Sequence, residues 1–422
     1  VEAIGIVYAC VTAVLFGWWL KRTFKTFDQR IILLAWGIKV LGTFTLLALF
    51  TFYYTDRSTS DIHRFFDDGL LLNAIAFEEP GDFFRILFGW NIDQAGFRTA
   101  YFEHFNAWIK PHDSGFYNDN HVMIRLNALM AFISMGYIEV HSVWFSMLSF
   151  MGMLWMIAAL LPPTQRNFAL IVTALYPSQL IWLSAGLKES LLVFGLGMML
   201  YGIHQMKASQ RPLGIGFALL GCLLLTQVKV YFLLFLIPIL AWSTGTERLK
   251  LRWLPSVGIL GVLILLGTIL LEAFGVSPME YTVRKQHEFI NHAAEIQAGS
   301  AFDVEKMAFS YTSVIAQLPQ AFSSTLLRPW PWEDIDAPSL LLLAENILLL
   351  ILISIALWQL TRKNIGFDWP RWLIPYALSI ILLIGLITPV YGALMRYRAP
   401  ILLLLIIALS PYIRSLFKPS PS

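Results

Sequence analysis

The sequence predicts an all-α polytopic membrane protein with about 11 transmembrane helices (range 10–13), and three observations predict it. Hydrophobic residues make up 57% of the 422 positions and charged residues only 14%, with a mean hydropathy of +0.66. A water-soluble domain of this length carries far more charge, so lipid is the solvent. Apolar runs of about 20 residues recur from end to end, which reads as a single transmembrane domain over 1–422. Lys and Arg concentrate in short loops between them, at 21–30, 207–212, 244–253 and 361–371, against three acids, Asp28, Glu247 and Asp368. Cationic loops stay in the cytoplasm, which fixes the sidedness of every span.

The runs lie near 3–20, 31–54, 143–161, 168–184, 189–206, 213–227, 230–245, 254–274, 339–360, 372–391 and 399–415. Eleven crossings place the N-terminus outside and the C-terminus inside. The first run lacks a small-residue cleavage site and is followed by basic residues, which reads as a retained span rather than a signal peptide. The segment 121–137 is apolar but holds His121, Arg125 and Asn127, and a full crossing there would invert every later loop. It reads as an interfacial or re-entrant helix, with a twelfth span as the alternative. Two long outer segments follow, 55–142 and 275–338, together with short outer turns at 184–189, 227–229 and 392–398. Within the first, GLLLNAIAF and GDFFRILFGW are too short to span and read as membrane-surface helices.

Charge gathers on this outer side. TDRSTSDIHRFFDDGLLL places Asp56, Asp61, Asp67 and Asp68 within thirteen residues at a membrane edge. A helix from Asp61 puts Asp61, Arg64 and Asp68 on one face, where a guanidinium keeps a neighbouring carboxylate ionised and usable as a general base. The competing reading is the hydrated, capped start of a surface helix. At the next outer turn, Lys188 offers a point charge for a phosphate and Glu189 a group to orient a substrate or metal. The alternative is a snorkelling Lys beside an acid that the helix dipole favours. Arg396 and Arg398 in YGALMRYRAP would repel one another in a tight turn unless an anion such as a phosphate lies between their forks, and Lys229 is a further cation for that role. RPWPWED joins Arg328, Trp330, Trp332, Glu333 and Asp334 on a stiff segment, a sugar-stacking platform or a plain interfacial belt. Lys39 and Glu345 lie inside spans and each needs water or a partner.

Other chemistries lack their residues. No HExxH or close Cys/His set occurs among eight histidines, and no Gly-rich phosphate loop is present, which argues against zinc hydrolysis and ATP-driven action. Cys10 and Cys222 sit in apolar runs as small hydrophobes. The net charge of +3 is spread thinly, so nucleic acid is not an expected partner.

Four of these segments resemble the multi-span glycosyltransferases of the GT-C type: SDIHRFFDDG opening the first long outer loop, ALYPSQLIWLSAGLKESLLVF, RPWPWED and the RYRAP segment. The resemblance implies a bacterial inner-membrane enzyme with a periplasmic active face, moving a sugar from a polyprenyl-phosphate carrier to an envelope acceptor. It implies Asp61 as the base and Lys188, Arg396 and Arg398 as holders of the carrier phosphate. Lys188-Glu189 stands where the family often carries an Asp, and the large soluble C-terminal domain common in the family has no counterpart. A divalent cation and the acceptor are therefore left open, and no cofactor is assigned. Membrane lipids and the lipid-linked sugar are the expected partners. A lipid-linked oligosaccharide polymerase or ligase, a flippase for lipid-linked glycan and a non-catalytic envelope-complex subunit are the rival readings.

Overall fold

The structure, a computed structural model, describes residues 3–53, 56–57, 60–93, 95–109, 118–207, 210–333, 337–362 and 370–417. Most of the basic loop 361–371, with Lys363 and Asp368, lies outside the described residues, as does Asp334. Internal packing divides the chain into two compact units, Val1–Lys229 and Val230–Ser422. Among the described residues no strand forms. An isolated antiparallel bridge joins Ala301 to Val390.

The first unit holds α1 (Ala3–Thr23), α2 (Gln29–Ala48, continued by a π-turn at Leu49–Tyr53), α3 (Asp61–Glu78), α4 (Pro80–Phe88), α5 (Ala95–Ala100), α6 (Asn120–Ser134), α7 (Ile138–Leu160), α8 (Pro163–Leu175), α9 (Pro177–Ile181), α10 (Lys188–Lys207) and α11 (Arg211–Val228). Local chemistry sets the boundaries. Asp28 caps α2 by accepting from the Arg30 and Ile31 N–H groups at 2.8 and 3.1 Å. Helix α4 starts on Pro80 and stops at Gly89, whose φ of +76° is the left-handed C-cap. Helix α10 packs between α7 and α11 with backbones almost touching: a Cβ built on Gly197 would stand 2.2 Å from the Gly152 carbonyl oxygen. Only glycine allows that approach.

The second unit holds α12 (Tyr231–Arg248), α13 (Trp253–Ala273), α14 (Pro278–Glu295), α15 (Tyr311–Leu326), α16 (Ala337–Arg362), α17 (Leu373–Ile387) and α18 (Tyr391–Arg414). Helices α14 and α15 occupy the segment between α13 and α16, and α15 packs closely on α17, where Gly385 faces the Ala321 carbonyl.

Among the described residues seven helical stretches are long and apolar enough to cross a membrane: α1, α2 with its π-turn, α7, α11, Pro255–Ala273 of α13, Leu340–Thr361 of α16, and α18. The chain is thus an all-α membrane protein by length and composition of its helices. The other four apolar runs fall on helices that are broken, shorter or less uniformly apolar. Helix α8 breaks into α9 at Pro177, α10 opens on Lys188-Glu189, α12 carries Pro238, and α17 spans 15 residues.

One expectation is corrected. Residues 392–398 are not an outer turn but the first two turns of α18, and the reversal is confined to Thr388–Val390. Pro389 ends α17, while the charge at Arg398, which suggested a polar turn, is neutralised inside the protein by Glu345.

Candidate functional site

In the first unit the charged residues meet around the start of α10. The α8–α9 arm turns at 182–187, and the Ala185 N–H donates to Ser146 Oγ at 2.9 Å. Ser146 lies eight residues into α7 from Ile138, so the turn sits about 12 Å along that helix from its N-terminal end at 1.5 Å per residue. The turn expected at the surface at 184–189 is therefore sunk beneath α3 and α6. Lys188 and Glu189 begin α10 inside the protein, 8% and 0% exposed. Lys188 Nζ pairs with Asp119 Oδ1 at 2.8 Å and donates to Asn120 Oδ1 at 2.5 Å. Lys229 Nζ pairs with Glu189 Oε1 at 3.0 Å. The Lys229–Glu189 pair is buried and the Lys188–Asp119 pair partly so, and such pairs stabilise little after desolvation. Charges kept inside a membrane protein at that cost mark functional sites more often than structural ones.

Helix α3 closes over this layer. It starts at Asp61, as the spacing predicts, with Ser60 at the N-cap. Phe65, one turn after Asp61, carries the Lys188 ammonium 5.3 Å from its ring centroid, and Ile62 packs with Ala185 and Leu187. Asp61 and Lys188 thus belong to one locality. Asp68, expected to contact substrate, is 0% exposed. Its oxygens accept from the Asn106 N–H at 2.7 Å, Asn106 Nδ2 at 3.1 Å and the Ala107 N–H at 2.7 Å. Burial pushes its carboxyl up, while those donors and the Arg64 charge pull it down. Its work is to hold residues 105–108 across α3.

Arg64 does not clamp Asp61 or Asp68 as the face pattern suggested; its Nη2 donates to the Asn106 carbonyl. Asp67 is held by Arg57, with Nε and Nη2 donating at 2.8 and 2.5 Å. The same 105–108 segment is tied from below, where Asn120 Nδ2 donates to the Ala107 carbonyl at 2.7 Å and His121 Nε2 to that of Trp108 at 3.0 Å. A continuous polar path therefore runs from Asp68 through the loop backbone and Asn120 to Lys188.

His63, on the buried side of α3, contacts Ser60 Oγ through Nδ1 at 2.9 Å. Burial depresses its basicity most, Arg57 adds to that, and Asp67 opposes it. The folded state therefore prefers neutral imidazole. That stabilisation is complete above the unfolded value of about 6.5 and is lost as pH falls through the depressed folded value. Protection factors of the amides of 61–66, taken relative to the intrinsic exchange rate at each pH, are expected to fall on acidification below about pH 6.5, and a His63→Gln variant is expected to show a flatter profile.

A third polar group contains Asn127, noted in the sequence, with Ser134 and His141, which were not. Asn127 on α6 and Ser134 at its end meet His141 on α7: the His141 Nδ1–H donates to Asn127 Oδ1 at 2.7 Å, and the Ser134 hydroxyl donates to Nε2 at 2.5 Å. All three are at most 2% exposed. They pin α6 to α7 and leave no room for a substrate. Asp119 and Asn120 were also missed. The only sequence signal was polar residues clustered just ahead of the apolar 121–137 run, which does not reveal a lysine partner 68 positions away.

In the second unit Arg398 and Glu345 form a pair at 2.8 Å, both 0% exposed, and Arg398 Nη1 donates to the Thr325 carbonyl at 2.6 Å. Arg398 is thus an interior crosslink, not an open phosphate fork, whereas Arg396 is half-buried beside the Tyr397 ring. Arg328 pairs with Glu333 at 2.8 Å, and Glu333 Oε2 accepts from the Tyr391 hydroxyl at 2.5 Å. Trp330 and Trp332 stack on each other at 5.2 Å, leaving Trp332 77% exposed. Its outer face is available to a sugar or a lipid.

Among the described residues no group of three or more His, Cys, Asp and Glu side chains stands close enough to hold a metal ion. Comparison of the chain with protein-family models, with curated proteins and with solved structures finds no match.

Proposed function

We propose that the protein transfers a sugar from a polyprenyl-phosphate carrier to an envelope acceptor at the outer face of a bacterial inner membrane, through a GT-C-like arrangement of eleven crossings. The observation that supports this reading is the two adjacent ion pairs on Lys188 and Glu189, one partly and one fully buried, beneath a helix that opens on Asp61. Asp61 takes the proton of the acceptor hydroxyl as its oxygen bonds to the anomeric carbon. The bond from that carbon to the carrier oxygen breaks, and the phosphate leaves with the electron pair. Lys188 exchanges Asp119 for this phosphate as its negative charge grows. Glu189 and Lys229 keep the start of α10 in place.

The test is reconstitution of the full chain in liposomes with a radiolabelled polyprenyl-phosphate sugar and a mixed acceptor pool. Asp61→Asn is expected to lower turnover by about 10²–10⁴, the usual worth of a general base, with folded protein unchanged. Transfer at the unmodified rate in that variant removes the assignment. The interrupted α8–α9–α10 hairpin favours a second reading, a flippase for lipid-linked glycan, because unwound backbone inside a membrane bundle is a frequent transporter device. That reading gains if the labelled lipid changes leaflet in the same liposomes with no glycosidic bond formed.

A further inference from the structure

Lys39 takes no part in the layer around Lys188. It lies in the apolar span Gln29–Tyr53, ten residues from its start and 7% exposed. At 1.5 Å per residue that is about 15 Å along the helix, near the middle of a hydrocarbon core. Among the described residues no carboxylate pairs with it. Its Nζ donates instead to two backbone carbonyls of the interrupted hairpin, Gln179 at 2.9 Å and Leu183 at 2.7 Å. Ser149 Oγ donates to the same Leu183 carbonyl at 2.6 Å. Beside the ammonium is a void of about 10 Å³ lined by Ser149, Thr173 and Gln179, and no lining residue other than Lys39 is charged.

Carbonyl oxygens converging where a helix unwinds form a cradle for a monovalent cation, and in lipid such oxygens must be satisfied from within the protein. We propose that this is a cation site in the membrane core, filled by the tethered primary amine of Lys39, and that without the lysine it accepts a small free alkylammonium ion. The close seat of α2 on the hairpin fits this role. A Cβ on Gly42 would stand 2.3 Å from the Leu180 carbonyl oxygen, so the lysine one turn earlier meets the carbonyls directly.

The experiment measures the half-life of the folded full chain in lipid nanodiscs at a fixed temperature, independently of any transfer activity. Lys39→Ala is expected to shorten it by about tenfold or more, because two buried carbonyls lose a donor. Ethylammonium chloride is expected to restore most of the loss, while ethanol, of similar size but uncharged, and tetramethylammonium, which has no N–H, restore none. Lys39→Met, which fills the space without charge, is expected to be as short-lived as Lys39→Ala. The proposal is overturned if Lys39→Met matches the unmodified chain, if ethanol rescues as well as ethylammonium, or if ethylammonium does nothing. Should Lys39→Ala fail to accumulate, the same compounds are supplied during cell-free synthesis into nanodiscs. Folded yield is then the reading, and no selective rise with ethylammonium overturns the proposal.

Discussion

Arg398→Met is expected to destabilise the second unit by about 3–5 kcal/mol, because it leaves the Glu345 carboxylate in the interior without its guanidinium. One side chain carries several connections here. Arg398 on α18 pairs with Glu345 on α16 and donates to the Thr325 carbonyl on α15, while Thr325 Oγ1 donates to the Ile381 carbonyl on α17 at 3.0 Å. Four helices meet at this point. Glu345→Leu alone is expected to cost a similar amount for the opposite charge. The double variant Arg398→Met/Glu345→Leu is expected to recover most of the loss, since apolar groups of similar size replace a buried pair at little net cost. A double-mutant cycle by denaturant unfolding in micelles gives the coupling directly. Additive single effects would show that the pair is not what joins these helices.

Gly197→Val is expected to do comparable damage to the first unit by overpacking. The added Cβ falls 2.2 Å from the Gly152 carbonyl oxygen and 2.6 Å from its Cα. Both neighbours are backbone and cannot rotate aside, so α7 and α10 must separate along their length. Overpacking of side chains costs about 1–3 kcal/mol, and a backbone contact sits at or above the top of that range. Separation also moves the start of α10, so the proposed transfer activity is expected to fall with stability. Gly216→Val on α11 is the control, because nothing lies within 4 Å of its Cβ position. Equal thermal half-lives for the two variants would rule out the helix contact as the cause.

Much of the secondary structure was legible because its causes are local. A run of apolar residues inserts as a helix whatever lies elsewhere in the chain, and Asp28, Pro80 and Gly89 act on neighbours a few residues away. The start of α3 at Asp61 and the helix within 121–137 follow from the same short-range rules. The misplaced boundary at 392–398 shows where such rules stop. Two arginines in sequence suggest water, yet α18 continues through Arg398 because Glu345 meets it from another helix.

The candidate site was legible in its residue types but not in their pairing. Asp61, Lys188, Glu189 and Lys229 were singled out individually. Their partners, Asp119, Asn120 and the 105–108 backbone, were not, and Asp68 and Arg398 were assigned to substrate although both are enclosed. The sequence by itself determined the solvent, the helices and the residues too polar to be left alone in lipid. The tertiary structure decided which of those residues satisfy one another, across 40, 53 and 68 positions of chain. The physical reason is that transfer into lipid and helix formation sum over neighbours in sequence. An ion pair depends on a distance of a few ångströms that only the packed helices set.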